Sequence, residues 1–162
     1  MRLLREMTDD DKELIEKWLP FPEDCKDFDY AVRKNGWIDT FVKNAEDRAF
    51  VVEDGTELIG FSIIKHILNE EAEFLIIVRG DIVGKGIGRF LTIQTLSKCF
   101  SELMYKKIKL IVRKKNERAK KLYIKTGFKY NGECVKKIKG EDIEFYKMEI
   151  NQDEYQLGQK YF

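Results

Sequence analysis

Apolar positions recur along this chain with two different periods, and the points where the period changes mark out its elements. Arg2-Leu3-Leu4-Arg5 reads as a short first strand. Thr8 follows as a helix N-cap, with Asp9, Asp10 and Asp11 where the helix dipole favours carboxylates. Leu14, Ile15, Trp18 and Leu19 supply the apolar stripe, and Pro20 and Pro22 are expected to stop the helix. Residues 27–43 are expected to be helical in two pieces broken near Gly36. Their apolar positions (Phe28, Ala31, Val32, Trp37, Ile38, Phe41, Val42) fit helical spacing loosely.

Ala49-Phe50-Val51-Val52-Glu53 and Leu58-Ile59-Gly60-Phe61-Ser62-Ile63-Ile64 are strand-like runs around Asp54-Gly55, a hairpin signal. A third run, 72–78, follows Asn69, so these strands form an antiparallel meander. Gly80, Gly84, Gly86 and Gly88 then crowd one loop, and Phe90, Leu91, Ile93, Leu96, Phe100 and Leu103 continue with a helical period. Ile108-Lys109-Leu110-Ile111-Val112 is a strand again. Residues 116–126 read as a short helix with Ala119, Leu122 and Tyr123 on one face, closed by Gly127. Residues 128–138 and 143–150 pair as a last hairpin through Lys139-Gly140-Glu141-Asp142, and the tail 151–162 is not placed. The order β, α, α, β, β, β, α, β, α, β, β interrupts a mostly antiparallel sheet with helices, which is the α+β class, and residues 74–112 suit one parallel crossover.

Composition narrows the function more than the fold. The 162 residues suit one domain, 1–162. Lys+Arg 30 against Asp+Glu 29 leaves a formal charge of +1, so there is no global drive toward nucleic acid and an anion site must be local. The N-terminal residues turn acidic within MRLLREMTDD, unlike a signal peptide or membrane anchor. The longest apolar runs are strand-sized, below the roughly 20 residues of a spanning helix. Cys25, Cys99 and Cys134 are odd in number and widely spaced, so neither a disulfide framework nor a metal site is expected, and the cytoplasm is the expected compartment.

The glycine loop carries the chemistry. It lies after a buried strand and before a helix, where glycine lets the main chain turn sharply and approach a ligand. The first N–H groups of a helix have no intrahelical partner, and together with the dipole they favour an anion, usually phosphate. Gly80-x-x-x-Gly84-Lys85-Gly86 has the wrong spacing for a P-loop and lacks the hydroxyl after the lysine. Gly84-x-Gly86-x-Gly88 has the wrong spacing for a dinucleotide fingerprint, and antiparallel strands precede it. The remaining alternative is that these glycines serve only a tight turn and close packing.

Val83-x-x-Gly86-x-Gly88 resembles the cofactor signature of the GNAT acyltransferases, Gln/Arg-x-x-Gly-x-Gly/Ala. Residues 116–128, NERAKKLYIKTGF, resemble the second signature of that family, Asn-x-x-Ala-x-x-Leu-Tyr-x-Lys-x-Gly-Phe. The resemblance covers nearly the whole chain and implies the GNAT fold, a mixed and mostly antiparallel sheet flanked by helices. Val83 departs from the pattern, which removes one polar contact from the loop.

The resemblance implies acetyl-CoA as cosubstrate, with its pyrophosphate on the main-chain N–H groups of Gly84, Lys85, Gly86, Ile87, Gly88 and Arg89. The Lys85 and Arg89 side chains either add charge to the phosphates or are solvated surface charges. Asn116 is expected near the pantetheine, as an N-cap, or as both. Tyr123 matches the family's general acid: a phenol with pKa about 10 can protonate a thiolate of pKa about 8.5 only modestly uphill. The alternative is a core tyrosine. The main chain at Ile77 and Val78 would polarise the thioester carbonyl. Glu73 is the candidate base, on the reasoning that burial beside Leu75 and Ile77 raises a carboxyl's pKa; the alternative is an exposed strand-start charge. His66 is a weaker candidate.

The implied reaction is acetyl transfer to a primary amine by direct attack, with no metal, no nucleic acid and no membrane. A non-catalytic acyl-CoA-binding module is the second reading. The resemblance leaves room for a homodimer. The acceptor, a small-molecule or peptide amine, would be read from residues 20–44 and the last hairpin, where Glu23, Asp24, Asp27 and Asp29 mix with Phe28, Tyr30 and Trp37. That mixture suits a cation and equally an ordinary amphipathic helix.

Overall fold

The computed structural model describes residues 1–159; residues 160–162 and the side chains of 24, 25, 27 and 156–159 lie outside the described residues. Its strands are β1 (Arg2–Glu6), β2 (Arg48–Asp54), β3 (Glu57–Leu68), β4 (Glu71–Val78), β5 (Lys107–Arg113), β6 (Lys129–Ile138) and β7 (Glu141–Asn151). They are hydrogen-bonded in the order β1-β2-β3-β4-β5-β7-β6. The helices are α1 (Asp9–Glu16), α2 (Asp29–Val32), α3 (Trp37–Phe41), α4 (Ile87–Ser97), α5 (Glu117–Thr126) and α6 (Gln152–Gln159). Contacts gather the chain into two compact units, Met1–His66 with Phe74–Leu96, and Ile67–Glu73 with Ser97–Phe162.

In the first unit β1, β2 and β3 pair antiparallel. The β2–β3 hairpin turns on Gly55 and Thr56, one residue later than expected, with Asp54 opposite Glu57 and Gly55 at φ +66°. Strand alternation sends neighbouring residues to opposite faces. Val51 joins a cluster with Ile15, Trp18, Ala31, Val32, Ile38, Phe61 and Ile77, whereas Val52 joins Ile59, Ile87 and Leu91. Strands β2 and β3 are therefore covered on both faces, which is why they read as continuous apolar runs.

The first helix is shorter than its stripe predicts. The Lys17 and Trp18 N–H groups donate to the Leu14 and Ile15 carbonyls, tightening the last turn before either proline is reached. Trp18 then turns inward onto Phe61, with ring centroids 6.1 Å apart, and Leu19 turns outward at 78% exposure. Leu14, also expected in the stripe, is 53% exposed because Ile15 takes the inward face of this short helix. Residues 23–28 form a 3₁₀ turn before α2, and Gly36 separates α2 from α3 as expected.

One ionic cluster ties three elements of this unit together. Thr8 and Asp11 form a capping box at the start of α1. The Arg5 guanidinium on β1 donates to both Asp11 oxygens at 2.6 and 2.9 Å, and its Nε donates to Glu53 on β2 at 2.8 Å. Asp11 is buried, and the Arg5 hydrogen bond, aided by the Thr8 N–H, holds its pKa at about 2 against the opposing effect of burial.

In the second unit Glu71–Glu73 of β4 pair parallel with Lys107–Lys109 of β5, as the crossover reading requires. Strand β5 pairs antiparallel with β7, and β7 with β6. The β6–β7 turn is the two residues Lys139 and Gly140, at φ +50° and +83°, so Glu141 and Asp142, expected in the turn, belong to β7. Two left-handed residues match the twist of the flanking strands. The helical pattern after Ser97 changes to a π-helical segment, Lys98–Glu102, that buries Cys99 and Phe100. The unplaced tail begins as α6: Asn151 Oδ1 accepts from the Glu154 N–H at 2.8 Å, and Tyr155 packs on Phe100 at 5.2 Å.

A carboxylate with a depressed pKa contributes stability that is fully present above its unfolded value and lost as pH falls through its folded value. Asp11→Asn should therefore lower stability by about 2 kcal/mol at neutral pH. Urea titrations of both proteins check this: the difference should shrink as pH falls from about 4 toward about 2.

Candidate active site

The glycine loop lies wholly in the first unit, and its start is clamped. The Arg79 N–H donates to the Ile59 carbonyl at 2.9 Å. Its guanidinium donates to the Leu58 carbonyl at 3.2 Å and to both Asp81 oxygens at 2.7 and 3.2 Å. The fork holds the Asp81 carboxyl below the usual carboxylate range, so the acid beside the anion loop has its charge matched by a cation. Sequence reading missed Arg79, although an arginine two residues before an acid in a turn was a usable signal.

The loop glycines have different reasons to be glycine. A Cβ on Gly80 would lie 2.8 Å from Phe21 and Pro22, so Gly80 serves close packing. Gly84 and Gly86 stand at φ +91° and +80°, and a Cβ on either would meet nothing within 4 Å. Packing therefore does not exclude a side chain at those two positions. They are glycine for the turn, and the turn leaves room for a ligand against the main chain.

The Gly86 carbonyl accepts the Phe90 N–H at 3.1 Å, which makes Gly86 the residue that starts α4. Glycine has no side chain with which to cap the first N–H groups. At α1 and α5 the Thr8 hydroxyl and the Asn116 amide do that work. The α4 N-terminus thus presents main-chain donors from Ile87, Gly88 and Arg89 in an arrangement suited to phosphate. Ile87 is buried with Leu91 and anchors the first turn, and Lys85 and Arg89 are exposed. Val83 is half-buried. Ile77 and Val78 end β4 just before the loop, with Ile77 buried.

The second unit holds the remaining candidates. Asn116 caps α5, its Oδ1 accepting from the Ala119 N–H at 3.1 Å. Gly127, at φ +116°, closes that helix, and the Tyr123 carbonyl accepts from the Gly127 and Phe128 N–H groups at 3.1 and 3.0 Å. This double bond at the C-terminus fixes the backbone at Tyr123. The Tyr123 ring is 9% exposed and packs edge-on against Phe128 at 5.7 Å. Burial pushes its phenol pKa well above the ordinary value, so the hydroxyl keeps its proton at any physiological pH. Glu73 is half-buried and pairs with Lys109 across the parallel ladder. It is neither the fully buried carboxyl nor the exposed charge of the two sequence readings.

His66 has a structural position. Its N–H donates to Asp47 at 2.9 Å, and its Nε2 lies 3.6 Å from Glu46. Of the acids expected on the acceptor side, Asp29 is engaged by Arg33 at 2.7 Å and Glu23 by Lys26 at 2.6 Å, while the Asp24 and Asp27 side chains lie outside the described residues. The aromatic residues do assemble. Trp37 stands edge-on to Phe28, Tyr30 and Phe41 at 6.4, 6.1 and 6.2 Å and donates its indole N–H to the Tyr30 hydroxyl at 3.1 Å.

The sequence profile of the acetyltransferase (GNAT) family matches residues 9–128. The chain belongs to this family. The spermidine N(1)-acetyltransferase of Escherichia coli (strain K12) is 30% identical over 152 residues, covering 91% of this chain and 78% of that protein. A crystal structure of spermidine N-acetyltransferase from Vibrio cholerae in complex with CoA and spermine superposes with a TM-score of 0.75 at 27% identity, covering 96% of this chain and 98% of the other. A structure of the Vibrio cholerae spermidine/spermine N-acetyltransferase in complex with manganese ions gives a TM-score of 0.75 at 26% identity, with 96% and 95% covered. The fold is the GNAT fold, and the protein is an enzyme that moves an acetyl group from acetyl-CoA to an amine.

Among the described residues no helix is long and apolar enough to cross a membrane. The loop geometry generates a direct expectation. A valine at Gly86 cannot adopt φ +80° without strain and would place methyl groups beside the main-chain donors. Gly86→Val should bind acetyl-CoA at least about tenfold more weakly while remaining folded. Calorimetric titration beside a melting curve decides it, and unchanged affinity in the folded variant would refute the loop assignment.

Proposed function

We propose that this enzyme acetylates a primary amine of a polyamine, with spermidine as the reference acceptor, by direct attack on acetyl-CoA in a ternary complex. The likeness to spermidine acetyltransferases over 91% of the chain carries this reading. The Lys65 ammonium sits 5.2 Å above the Phe41 ring at the end of the Trp37 cluster, so this aromatic face is already held by an internal cation and gives the reading no independent support. The carboxylates Asp29 and Glu23 are engaged by internal cations and give the reading no independent support.

In the proposed mechanism the CoA diphosphate lies on the N–H groups of residues 84–89. Gly86 and Gly88 permit its approach, Val83 lines the loop, and Lys85 and Arg89 add positive charge. Asn116 holds the start of α5 for the pantetheine arm while its side chain caps the helix. Main-chain N–H groups at Ile77 and Val78 stabilise the oxyanion formed when the amine attacks the thioester carbonyl. Attack needs a neutral amine, and Glu73 accepts the proton, directly or through water. Tyr123 donates its proton to the departing thiolate. Its raised pKa makes full transfer more uphill than for an exposed phenol, so its first contribution is a hydrogen bond to the developing sulfur anion.

The proposed chemistry uses no metal, no nucleic acid and no membrane surface, takes place in the cytoplasm, and is compatible with a homodimer. Thiol release from acetyl-CoA with spermidine, in the presence of EDTA, tests the acceptor and the absence of a metal together. N-acetylspermidine should form at a rate unchanged by the chelator. Turnover of another amine but not of spermidine would reassign the acceptor, and loss of activity in EDTA restored by a divalent ion would overturn the metal-free scheme.

Tyr123→Phe keeps the ring packed on Phe128 and removes only the hydroxyl. Loss of an interaction made as the bond breaks lowers kcat while leaving ground-state binding intact. The variant should turn over at least about tenfold more slowly, with acetyl-CoA affinity and melting temperature nearly unchanged. Full activity would mean that water protonates the thiolate.

A further inference from the structure

The glycine loop has an external hold at a residue 83 positions away in the chain. Arg2 on β1 donates from Nη2 to the main-chain carbonyl of Lys85 at 3.3 Å. Arg2 lies opposite Asp54 in the β1–β2 ladder, and its Nε stands 3.8 Å from the Asp54 carboxylate. Asp54 thus restrains one side of the guanidinium while the other reaches the loop. Leu4, two residues along β1 and on the same face as Arg2, packs against the buried cluster of Val52, Ile59, Ile87 and Leu91, which holds the start of α4. The arginine is therefore at the right end of the right face to reach the loop.

The bond falls on a consequential atom. The Lys85 carbonyl and the Gly86 N–H belong to one planar trans peptide and point in opposite directions. Drawing the carbonyl toward Arg2 turns the Gly86 N–H to the other side. Without a restraint this peptide would be unusually free, because Gly84 and Gly86 flank Lys85 and both are in the left-handed region. Ordering it when the ligand arrives would cost conformational entropy, and a bond made beforehand removes part of that cost.

We propose that Arg2 is a positioning residue for the cosubstrate. It fixes the Lys85–Gly86 peptide so that the Gly86 N–H joins the α4 donors facing the CoA diphosphate, with Asp54 as its brace. This rests on the reading of the glycine loop as the diphosphate site. Arg2 acts through the peptide and makes no step in the acetyl transfer.

The test titrates Arg2→Met, Arg2→Gln and Arg2→Lys with CoA and with acetylpantetheine, which has no diphosphate. Arg2→Met should bind CoA about fivefold more weakly, the size expected from one partly exposed charge-assisted bond. KM for acetyl-CoA should rise in step, while kcat, KM for spermidine and the acetylpantetheine affinity stay unchanged. Arg2→Gln should repeat this result and replaces Arg2→Met if that variant fails to fold. Arg2→Lys, which keeps a charged donor without the fork, should recover part of the loss. Unchanged CoA affinity in a folded Met or Gln variant would overturn the proposal, and so would an equal loss for both ligands. Gly86→Val separates the two levels of the argument. If it also leaves CoA binding intact, the loop reading falls; if it abolishes binding and the Arg2 variants do not, only the role of Arg2 falls.

Discussion

A helix must satisfy or expose the N–H groups of its first turn, and α1, α4 and α5 solve this in two ways. Thr8 and Asn116 cap α1 and α5 with side-chain oxygens, which makes those termini self-sufficient. Helix α4 starts at Gly86, where no side chain exists to close the turn. Much of the first unit can be understood as support for that open terminus. Ile87 and Leu91 are buried against Val52 and Ile59 and fix the helix on the sheet. Gly80 lets the chain pass Phe21 and Pro22 on the way to the loop, and Arg79 clamps the same segment to Leu58 and Asp81.

How legible this was in the sequence depended on the range of the interaction. The glycine loop, Asn116 as a cap and Gly127 as a stop are local, because each needs only its chain neighbours, and all three stand where the sequence places them. Small misplacements came from competition between neighbouring signals. The turn at Gly55 and Thr56 falls one residue past the Asp54-Gly55 signal, and the four residues from Lys139 contain a two-residue turn; in both, the position is decided by strand register, which lies across the ladder. Leu14 and Leu19 fit a helical period but not a helix of eight residues. The tail held a readable signal in Asn151-x-x-Glu154, a cap followed three residues later by its acid, and that signal was overlooked. Arg2 could not be assigned, because the carbonyl it bonds lies 83 residues away, and Arg5 only in part, because Glu53 lies across the ladder; Arg79 differs, since Asp81 stands two residues on.

The chemistry assigned to Tyr123 changes in emphasis once burial is known. A solvent-exposed phenol would sit close to a thiol in acidity, so proton transfer could proceed early. A buried phenol resists ionisation more strongly, and its value to the reaction moves from acidity toward hydrogen bonding. An unionised hydroxyl held by a backbone fixed at Gly127 and Phe128 is a preorganised dipole, and such a dipole needs no reorganisation when the sulfur acquires charge. The burial that makes Tyr123 a plausible core residue is therefore also compatible with the catalytic role.

The near-zero net charge conceals a division of labour between the two kinds of cation. In the first unit Arg2, Arg5, Arg33 and Arg79 each pair with an acid and also donate to a main-chain carbonyl: Lys85, Glu6, Glu16 with Trp18, and Leu58 respectively. The acids are Asp54, Asp11 with Glu53, Asp29, and Asp81 with Glu57. A planar guanidinium with five donors can hold a carboxylate and a peptide together, which a lysine cannot do with the same fixed geometry. The second unit uses lysines instead, pairing Lys107 and Lys109 with Glu71, Lys114 with Glu133, and Lys120 with Glu117. These lysines are half-buried, and a single ammonium without a planar fork fixes less geometry than a guanidinium. Arginine is thus concentrated where turns and loops must hold one conformation, and the loop that most needs this, flanked by two left-handed glycines, is bonded by Arg2 and Arg79 at two separate points.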